Sequence, residues 1–298
     1  MTALAVCGSL AGAGAVRAQS IEPRSYSNAP VGVNFLIGGY AYTRGGLAFE
    51  SLPITDPKLA TSSAVVGYAR ILDLAGKSAK FDVIVPYTWL SGTANYLDDS
   101  LERKVDGFGD PAFRLSVNFY GAPALTLPEF KSYEQDLIVG ASFQISAPAG
   151  QYDDTKVVNV GTHRWYFKPE LGISKAMGSW TFETKAAVTL FTTNDDFYNG
   201  NRRSQDPLYS LSGHAIYSFP GGIWSSVDAT WFAGGRTTLN GTVNADLQQN
   251  WRIGTTLAFP VDLYNSVKLY ASSGVSARTG NSYDLVGVAW QYRWGGGL

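Results

Sequence analysis

The two histidines, His163 and His214, are the residues of this chain best suited to general base catalysis. A serine nucleophile needs a histidine within hydrogen-bond reach and a third group that orients the imidazole ring. Ser212 shares a strand face with His214, but two residues along a strand span about 7 Å, which is too far for a direct hydrogen bond. His163, in the stretch GTHRW, has no serine near it in the sequence. We therefore predict that the chain has no catalytic residue and is not an enzyme.

Pairs of adjacent aspartates are the second candidate chemistry. Carboxylate oxygens suit calcium or magnesium, and a cation held there would bridge the chain to anionic lipopolysaccharide. Three such pairs fall in or beside polar loops: Asp98–Asp99, Asp153–Asp154 and Asp195–Asp196. We favour the simpler interpretation that these aspartates are solvated loop charges. Because the sequence also shows no zinc-ligand spacing, phosphate-binding loop or flavin motif, we predict no metal and no cofactor.

The other charged residues lie in segments in which apolar and polar residues alternate. The chain closes with VGVAWQYRW, where Val288, Trp290 and Trp294 share one side. Arg293 falls on the other side, since successive side chains of a strand point in opposite directions. The same two-sided pattern recurs along the chain. A soluble β-sandwich also alternates, with its apolar side inward, so alternation alone does not distinguish it from a membrane barrel.

About twelve such segments occur in what reads as one domain, each close to the roughly ten residues that a tilted strand needs to cross a bilayer. No helical periodicity competes with them over a long stretch. The predicted strands cover 33–43, 61–71, 78–89, 109–120, 134–147, 162–176, 179–192, 207–219, 222–234, 250–259, 264–276 and 281–294. Connections after odd-numbered strands are long and most of the others are short, which is typical of an outer-membrane barrel. The segment 121–133 breaks this rule, and we expect it to fold onto the periplasmic rim.

Composition fits either a soluble all-β protein or a membrane barrel, in which alternation dilutes the apolar signal. Charged residues make up 16% of the chain, below the usual quarter, and aromatic residues make up 13%. The net charge of −1 lacks the basic excess of a nucleic-acid-binding protein, so we predict no nucleic-acid partner. Mean hydropathy is −0.05, and no apolar run after the N-terminus is long enough to predict a helical span. Aromatic residues such as Trp180, Phe219 and Trp294 end the apolar faces, as at a headgroup boundary.

We therefore predict an all-β fold, a transmembrane antiparallel β-barrel of about twelve strands. The charged faces would then enclose water, because burying these charges in a dry core is costly. The residues predicted to face the lumen are Arg70, Lys80, Asp82, Arg114, Asp136, Lys168, Glu170, Glu183, Lys185, His214, Asp228, Arg252, Lys268 and Arg293. They are interpreted either as a constriction that sorts solutes by charge and size or as a salt-bridge network that rigidifies the barrel. Basic residues slightly outnumber acidic ones, which favours anionic solutes.

The N-terminal residues predict secretion. The stretch MTALAVCGSLAGAGAVRAQS is apolar and rich in small residues, and Val-Arg-Ala precedes Gln19, which is typical of a signal peptide. We predict a signal peptide over 1–19, with a true start upstream because a positive N-terminal region is missing, and a barrel domain over 20–298. The single cysteine, Cys7, lies in that peptide, so the mature chain has no disulfide. The residues that follow, 19–32, either plug the lumen or form a frayed periplasmic end, and we favour the frayed end.

Three stretches are similar to a known family of outer-membrane barrels. They are EPRSYSNAPVGVNFLIGGYAYTRGG at 22–46, GFGDPAFRLSVNFYGAPAL at 107–125 and YDDTKVVNVGTHRWYFKPELGISKA at 152–176. They resemble the barrels associated with the meta-pathway of phenol degradation, and the resemblance extends over residues 22–294. It implies an outer-membrane transporter for aromatic or other apolar compounds. The tail GGGL after Trp294 departs from the usual terminal aromatic residue, so the assembly machinery is expected to tolerate a short extension.

The sequence thus predicts a channel in the outer membrane of a Gram-negative bacterium, for passive uptake of small, aromatic or hydrophobic compounds. The alternatives are a structural barrel with a closed lumen and, less favoured, a lipid-hydrolysing barrel enzyme. The expected partners are outer-membrane lipid and lipopolysaccharide, a small-molecule solute and the barrel assembly machinery.

Overall fold

The computed structural model describes residues 21–45, 54–96, 99–277 and 282–298. The predicted signal peptide, Cys7 and Asp98 lie outside the described residues, so the boundary of the mature chain remains a prediction. In the described ranges the regular secondary structure is almost entirely strand, with one short helix, α1 (Leu127–Phe130), and a 3-10 turn at Pro220–Gly222. No helix in these ranges is both long enough and apolar enough to cross a bilayer.

Seventeen strands form in the described part of the chain, and their lengths range from two to twenty-one residues. They are β1 (Val33–Gly45), β2 (Ile54–Leu74), β3 (Lys77–Tyr96), β4 (Asp99–Phe108), β5 (Ala112–Tyr120), β6 (Leu137–Ser146), β7 (Tyr166–Met177), β8 (Trp180–Phe191), β9 (Asn194–Phe197), β10 (Asn201–Gln205), β11 (Leu208–Ser218), β12 (Trp224–Gly234), β13 (Thr237–Leu239), β14 (Thr242–Val243), β15 (Gln248–Pro260), β16 (Asn265–Ala277) and β17 (Tyr283–Gly295).

Twelve of these strands close into an antiparallel barrel. The ring runs β1–β2–β3–β5–β6–β7–β8–β11–β12–β15–β16–β17, and β17 pairs with β1 to complete it, with Val33 opposite Gly295. Strand β4 pairs with the part of β3 that extends beyond the ring, and residues 109–111 separate β4 from β5. A closed ring leaves no strand edge with unpaired backbone groups, as a lipid environment requires. The predicted all-β antiparallel barrel of about twelve strands is confirmed.

The apolar side of the barrel strands faces outward and the polar side faces inward. On β17, Val286 is 54% exposed and Trp290 is 42% exposed, whereas Ala289 is 3% exposed. On β5, Leu115 is exposed while its neighbour Arg114 is buried. Because strand side chains alternate with a period of two, one register places the whole apolar set outside. This outer apolar surface is the one that lipid tails contact.

Aromatic side chains lie at both ends of the outer surface. Near the chain terminus, Trp290, Tyr292 and Trp294 stack along β17, with successive ring centroids 6.1 and 5.6 Å apart. Towards the opposite end, Tyr87 and Trp89 on β3 pack with their centroids 4.9 Å apart. Indole and phenol groups favour the headgroup boundary, so these two belts mark the membrane interfaces.

The two ends of the barrel carry different connections. At one end, β2, β3 and β4 extend as hairpins, and β9, β10, β13 and β14 form a separate four-stranded sheet. At the other end, which holds Val33 and Gly295, most turns are short, as between Leu74 and Lys77. Long loops mark the extracellular side of an outer-membrane barrel and short turns the periplasmic side. The end that holds Val33 is therefore the periplasmic end.

The long periplasmic connection between β5 and β6 folds back onto the rim. The backbone amide of Ser78 donates to the carbonyl of Ala122 at 3.1 Å, and that of Val31 donates to the carbonyl of Leu125 at 2.8 Å. A capping box between Thr126 and Glu129 begins α1, and the hydrogen bonds from Thr126 lower the pKa of the Glu129 carboxyl. The connection is therefore hydrogen-bonded to the chain just before β1 and stabilises the position of the N-terminal segment there.

Candidate functional site

The N-terminal segment enters the lumen from the periplasmic end. Tyr26 is 1% exposed and Ala29 is 0% exposed. Ile21 reaches Gly254 on β15, while the Asn118 amide on β5 donates to the carbonyl of Tyr26 at 3.2 Å. We call residues 21–30 the N-terminal plug. The favoured prediction of a frayed periplasmic end is therefore wrong, because the side chains of this segment find specific partners on the inner wall.

Glu22 is the electrostatic anchor of the plug. The Arg114 guanidinium donates from Nη1 to Glu22 Oε2 at 2.6 Å and from Nε to Asp82 Oδ2 at 3.1 Å. Lys185 Nζ donates to the Glu22 carbonyl at 2.8 Å and to Ser25 Oγ at 2.9 Å. One carboxylate of the plug thus supplies a partner for a buried cation of the wall, and such charge-assisted bonds are the strong ones. The sequence could not show this pairing, because residues 92 positions apart make it.

The Tyr26 ring lies against two glycines on neighbouring strands, Gly140 and Gly172, which we call the glycine seat. Gly140 on β6 lies opposite Gly172 on β7 in the register, and a Cβ atom at either position would overlap the tyrosine ring. The Tyr26 hydroxyl donates to Glu170 Oε1 at 3.1 Å. Two positions without side chains therefore let the ring lie flat against the wall, with its polar end still bonded.

Arg24 extends the contacts of the plug to β11 and β12, the next strands of the barrel after β8. Its guanidinium carbon lies 4.9 Å from the centre of the Trp224 ring, and Nη2 donates to Ser218 Oγ at 2.6 Å. Trp224 is 1% exposed, so this cation–π contact is desolvated. The plug thus contacts a continuous arc of the wall, β5–β6–β7–β8–β11–β12, and it narrows the periplasmic half of the lumen.

We expect Gly172→Ala to unseat the plug, because the added methyl group would occupy the space of the Tyr26 ring. The measurement is the rate at which trypsin cleaves after Arg24 in the folded barrel, followed by mass spectrometry of the N-terminal fragment, and it should rise several-fold. Gly213→Ala on β11 is the matched control, since nothing lies within 4 Å of a Cβ added there. Equal cleavage in both variants would show that the glycine seat does not retain the plug.

Twelve of the residues predicted to face the lumen lie on the inner side. They are Lys80, Asp82, Arg114, Lys168, Glu170, Glu183, Lys185, His214, Asp228, Arg252, Lys268 and Arg293. Besides the contacts around Arg114, the structure brings Lys168 to 3.8 Å from Glu170. That these residues line a path for solutes remains a prediction.

Arg70 and Asp136 do not face the lumen, and the prediction for these two residues is wrong. Arg70 is exposed and lies on the same outward face of β2 as Val66, four residues before it. The inward positions of β2 are taken by small and apolar residues such as Val65. Arg70 lies near the periplasmic interface, where a long cationic side chain reaches water. Asp136 precedes β6, and its carboxylate pairs with Lys175 at the exposed periplasmic edge.

His214 and Asp228 form a buried pair on β11 and β12. His214 Nδ1 lies 2.7 Å from Asp228 Oδ1, and both side chains are 0% exposed. Ser226 Oγ donates to Asp228 Oδ2 at 2.9 Å, so this serine contacts the carboxylate rather than the imidazole. Ser212 accepts a hydrogen bond from Thr230 at 3.0 Å. Neither serine is placed for activation by His214, which a nucleophile requires.

Basic and aromatic side chains meet at the extracellular mouth. The Asp110 carboxylate accepts from the Thr162 amide at 2.8 Å and so fixes the loop before β7. In that loop the Arg164 guanidinium lies 4.5 Å from the centre of the Phe191 ring. Burial and the charge of Arg203 lower the pKa of Arg164 to about 9. The guanidinium is therefore still protonated at neutral pH.

The aspartate pairs make local loop interactions. Asp153 accepts hydrogen bonds from the amide and hydroxyl of Thr155 at 3.0 and 2.6 Å, which lower its pKa. Asp195 pairs with Arg202 at 3.0 Å, and both side chains are exposed. Among the residues that the structure describes, no group of three or more histidine, cysteine or acidic side chains is placed to hold a metal ion.

The closed ring, the outer apolar surface with its aromatic belts and the polar lumen define the protein as an outer-membrane β-barrel. The family model described as "Putative MetA-pathway of phenol degradation" matches residues 32–292, and the chain belongs to this family. The resemblance found in the sequence is confirmed, and the chain is a protein of the Gram-negative outer membrane. No curated protein matches the chain at a significant level.

Solved structures of outer-membrane proteins share this fold. The COG4313 outer membrane channel from Pseudomonas putida F1 is similar with a TM-score of 0.78 and 17% sequence identity, over 92% of this chain and 100% of that chain. The transport unit of the autotransporter AIDA-I from Escherichia coli is similar with a TM-score of 0.54 and 8% identity, over 92% and 93% of the two chains. The beta domain of the Bordetella autotransporter BrkA gives 0.53 and 13%, over 87% and 99%. These likenesses show that the chain has the fold of an outer-membrane β-barrel.

Proposed function

We propose that the barrel is a passive channel that admits small, aromatic or hydrophobic compounds across the outer membrane. The observation that carries this proposal is the uneven filling of the lumen. Plug contacts such as Asn118, Lys185 and Trp224 lie in the periplasmic halves of their strands. The contacts nearest the extracellular side are those of Arg114 on β5 with Glu22 and of Glu170 on β7 with Tyr26, so the plug fills the periplasmic end and the middle of the lumen. A twelve-stranded barrel lies between the filled eight-stranded and the open sixteen-stranded barrels, which suits a narrow channel.

The side chains of the extracellular half support an aromatic or apolar solute. Inward positions there include Tyr166, Leu208, Phe232, Tyr283 and Leu285, all less than a tenth exposed. They alternate around the ring with polar groups of the inner face. Small-molecule sites combine apolar and aromatic side chains with a few placed polar groups, and these five residues supply apolar contacts within an otherwise polar inner face. The inner cations and anions set the charge preference of the path.

The proposed partners follow from this role. We infer that outer-membrane lipid surrounds the apolar surface and that lipopolysaccharide contacts the extracellular loops. We further propose that a signal peptide over 1–19 directs export, that the barrel domain covers 20–298 and that the barrel assembly machinery inserts it. No catalytic step is part of this role, and the solute passes unchanged.

Solute flux into liposomes tests the channel. We expect liposomes that contain the folded barrel to swell in arabinose but not in raffinose, because the plug narrows the lumen. A reversal-potential measurement with sodium benzenesulfonate, a permanently charged aromatic anion, should show that the aromatic anion passes. Inserted barrel that gives neither swelling nor conductance would contradict the proposal.

A structural barrel with a closed lumen is the second candidate, because the plug itself favours it. The Arg114 guanidinium joins Asp82 on the wall to Glu22 on the plug, and such a network rigidifies the barrel. This candidate requires membrane insertion without flux, so the liposome experiment separates the two functions directly.

A further inference from the structure

The wall formed by β15, β16 and β17 carries inward cations and no inward carboxylate. Its inward charged residues are Arg252, Lys268 and Arg293, while Asp284, the acidic residue of these strands, is exposed and bonded to Ser273. The inward carboxylates of the described barrel strands lie elsewhere: Asp82 on β3, Glu170 on β7, Glu183 on β8 and Asp228 on β12. A solute that passes along the β15–β17 wall therefore meets positive charge, which favours anions.

Arg252 is a buried guanidinium that no carboxylate of the described residues contacts. It is 1% exposed, and its carbon lies 3.6 Å from the centre of the Tyr283 ring. Nη1 donates to the Tyr283 carbonyl at 3.1 Å and Nη2 donates to Ser272 Oγ at 2.8 Å, but Nε has no hydrogen-bond partner. Arg114, by contrast, is bonded to two carboxylates. Arg252 therefore keeps an unpaired donor at Nε, and its charge has no carboxylate in contact with it.

Asn250 presents a second unpaired group on the same face. It lies two residues before Arg252 on β15 and is 1% exposed, and neither its amide nitrogen nor its amide oxygen has a hydrogen-bond partner. Buried polar groups without partners are rare in proteins because they have lost their bonds to water. The two inward side chains arise about 7 Å apart along the strand. Together they offer two kinds of donor and one acceptor.

Apolar side chains border these two residues. Phe232 on β12 is 1% exposed and lies directly opposite Asn250 in the register. Tyr283 and Leu285 on β17 form an apolar cluster with Tyr270, whose hydroxyl also has no partner. An aromatic ring would therefore find apolar contacts beside polar groups that need partners.

We propose that Arg252 and Asn250 form a binding site for a hydroxylated aromatic carboxylate. Arg252 Nε donates to the carboxylate, and the Asn250 amide oxygen, on a side chain that arises about 7 Å away along the strand, accepts from the hydroxyl group at the far end of the ring. The ring packs against Phe232 and the Tyr283–Leu285 cluster. This site rests on the proposed function, because it supposes that solute enters the lumen. It narrows the solute class from aromatic compounds in general to aromatic anions.

Calorimetric titration of the folded full-length barrel in detergent tests the site with 4-hydroxybenzoate and its uncharged analogue 4-hydroxybenzamide. We expect the carboxylate to bind about tenfold or more tightly than the amide, as a charged hydrogen bond to a guanidinium should give. Arg252→Gln should lose this preference. Arg70→Gln is the matched control, because it removes the same charge from the outer face and should keep the preference.

A second substitution addresses the hydroxyl group. Asn250→Leu removes the acceptor while keeping a side chain of similar size, so 4-hydroxybenzoate and benzoate should then bind alike, whereas the natural chain prefers the former. Equal binding of 4-hydroxybenzoate and 4-hydroxybenzamide by the natural chain, or unchanged binding in Arg252→Gln, would overturn the proposal. It would mean that water molecules bond to the unpaired groups of Arg252 and Asn250. Far-UV circular dichroism confirms that each variant is a folded barrel.

The titration and the liposome experiment fail independently. Flux without the carboxylate preference would leave the channel standing and overturn the Arg252–Asn250 site. The carboxylate preference without flux would support the site and contradict the channel.

Discussion

Deletion of residues 21–29 should raise the single-channel conductance of the barrel several-fold. The plug places Tyr26, Arg24 and Glu22 across the periplasmic half of the lumen, and its removal leaves that space to water and ions. The ring itself should survive, because backbone pairs between twelve strands close it without any residue of the plug. Conductance of the deleted and complete chains in planar bilayers is the measurement.

Two comparisons make this result interpretable. Heat-dependent mobility in gels and far-UV circular dichroism establish that the deleted chain forms the same barrel. Glu22→Gln should give an intermediate conductance, because it weakens the bond to Arg114 while keeping the rest of the plug. Conductance that is equal in the deleted and complete chains would mean that the plug does not limit the path.

Val66→Arg should strongly impair the stability of the barrel in the membrane. Val66 is 60% exposed on the outer side of β2 and lies opposite Gly38, near the middle of β1. A charged arginine facing lipid near the bilayer midplane of a barrel costs about 2–4 kcal/mol. Denaturant unfolding of the barrel in lipid vesicles should show this loss, and less folded protein should accumulate in the outer membrane.

Val243→Arg provides the control for exposure and residue type. Val243 is 59% exposed, so both substitutions replace an equally exposed valine, but Val243 lies on β14 in the extracellular sheet. A charge there contacts water, and the unfolding free energy should stay within a few tenths of a kcal/mol of the natural value. Equal losses in both variants would indicate that the outer surface at Val66 does not contact lipid.

The barrel could be predicted because its strands obey a local rule. A period of two, with Val288 and Trp290 on one side and Arg293 on the other, is visible in a single stretch of sequence and fixes the face of each residue. Loop lengths then give the orientation. The mistake at Arg70 shows the limit of this rule: where small apolar residues such as Val65 fill the inward positions, a charge can lie on the outward side close to an interface.

The plug could not be predicted from local pattern. Its seat is formed by the absence of side chains at Gly140 and Gly172, and the ring that fills the seat comes from Tyr26, more than a hundred residues earlier. The same holds for the buried pair of His214 and Asp228, since only the register of β11 with β12 brings them together. Long-range complementarity of this kind is a property of the assembled barrel.

Cysteine accessibility on β17 tests most directly whether the lumen holds water and the outer surface holds lipid. Leu285 and Val286 are consecutive residues that are 8% and 54% exposed, and the single natural cysteine, Cys7, lies in the predicted signal peptide. In a planar bilayer, a membrane-impermeant methanethiosulfonate reagent should react with the thiol of the Leu285→Cys variant and change the ionic current through the barrel. The thiol of the Val286→Cys variant should not react. Modification of Val286→Cys together with an inert Leu285→Cys would contradict the account.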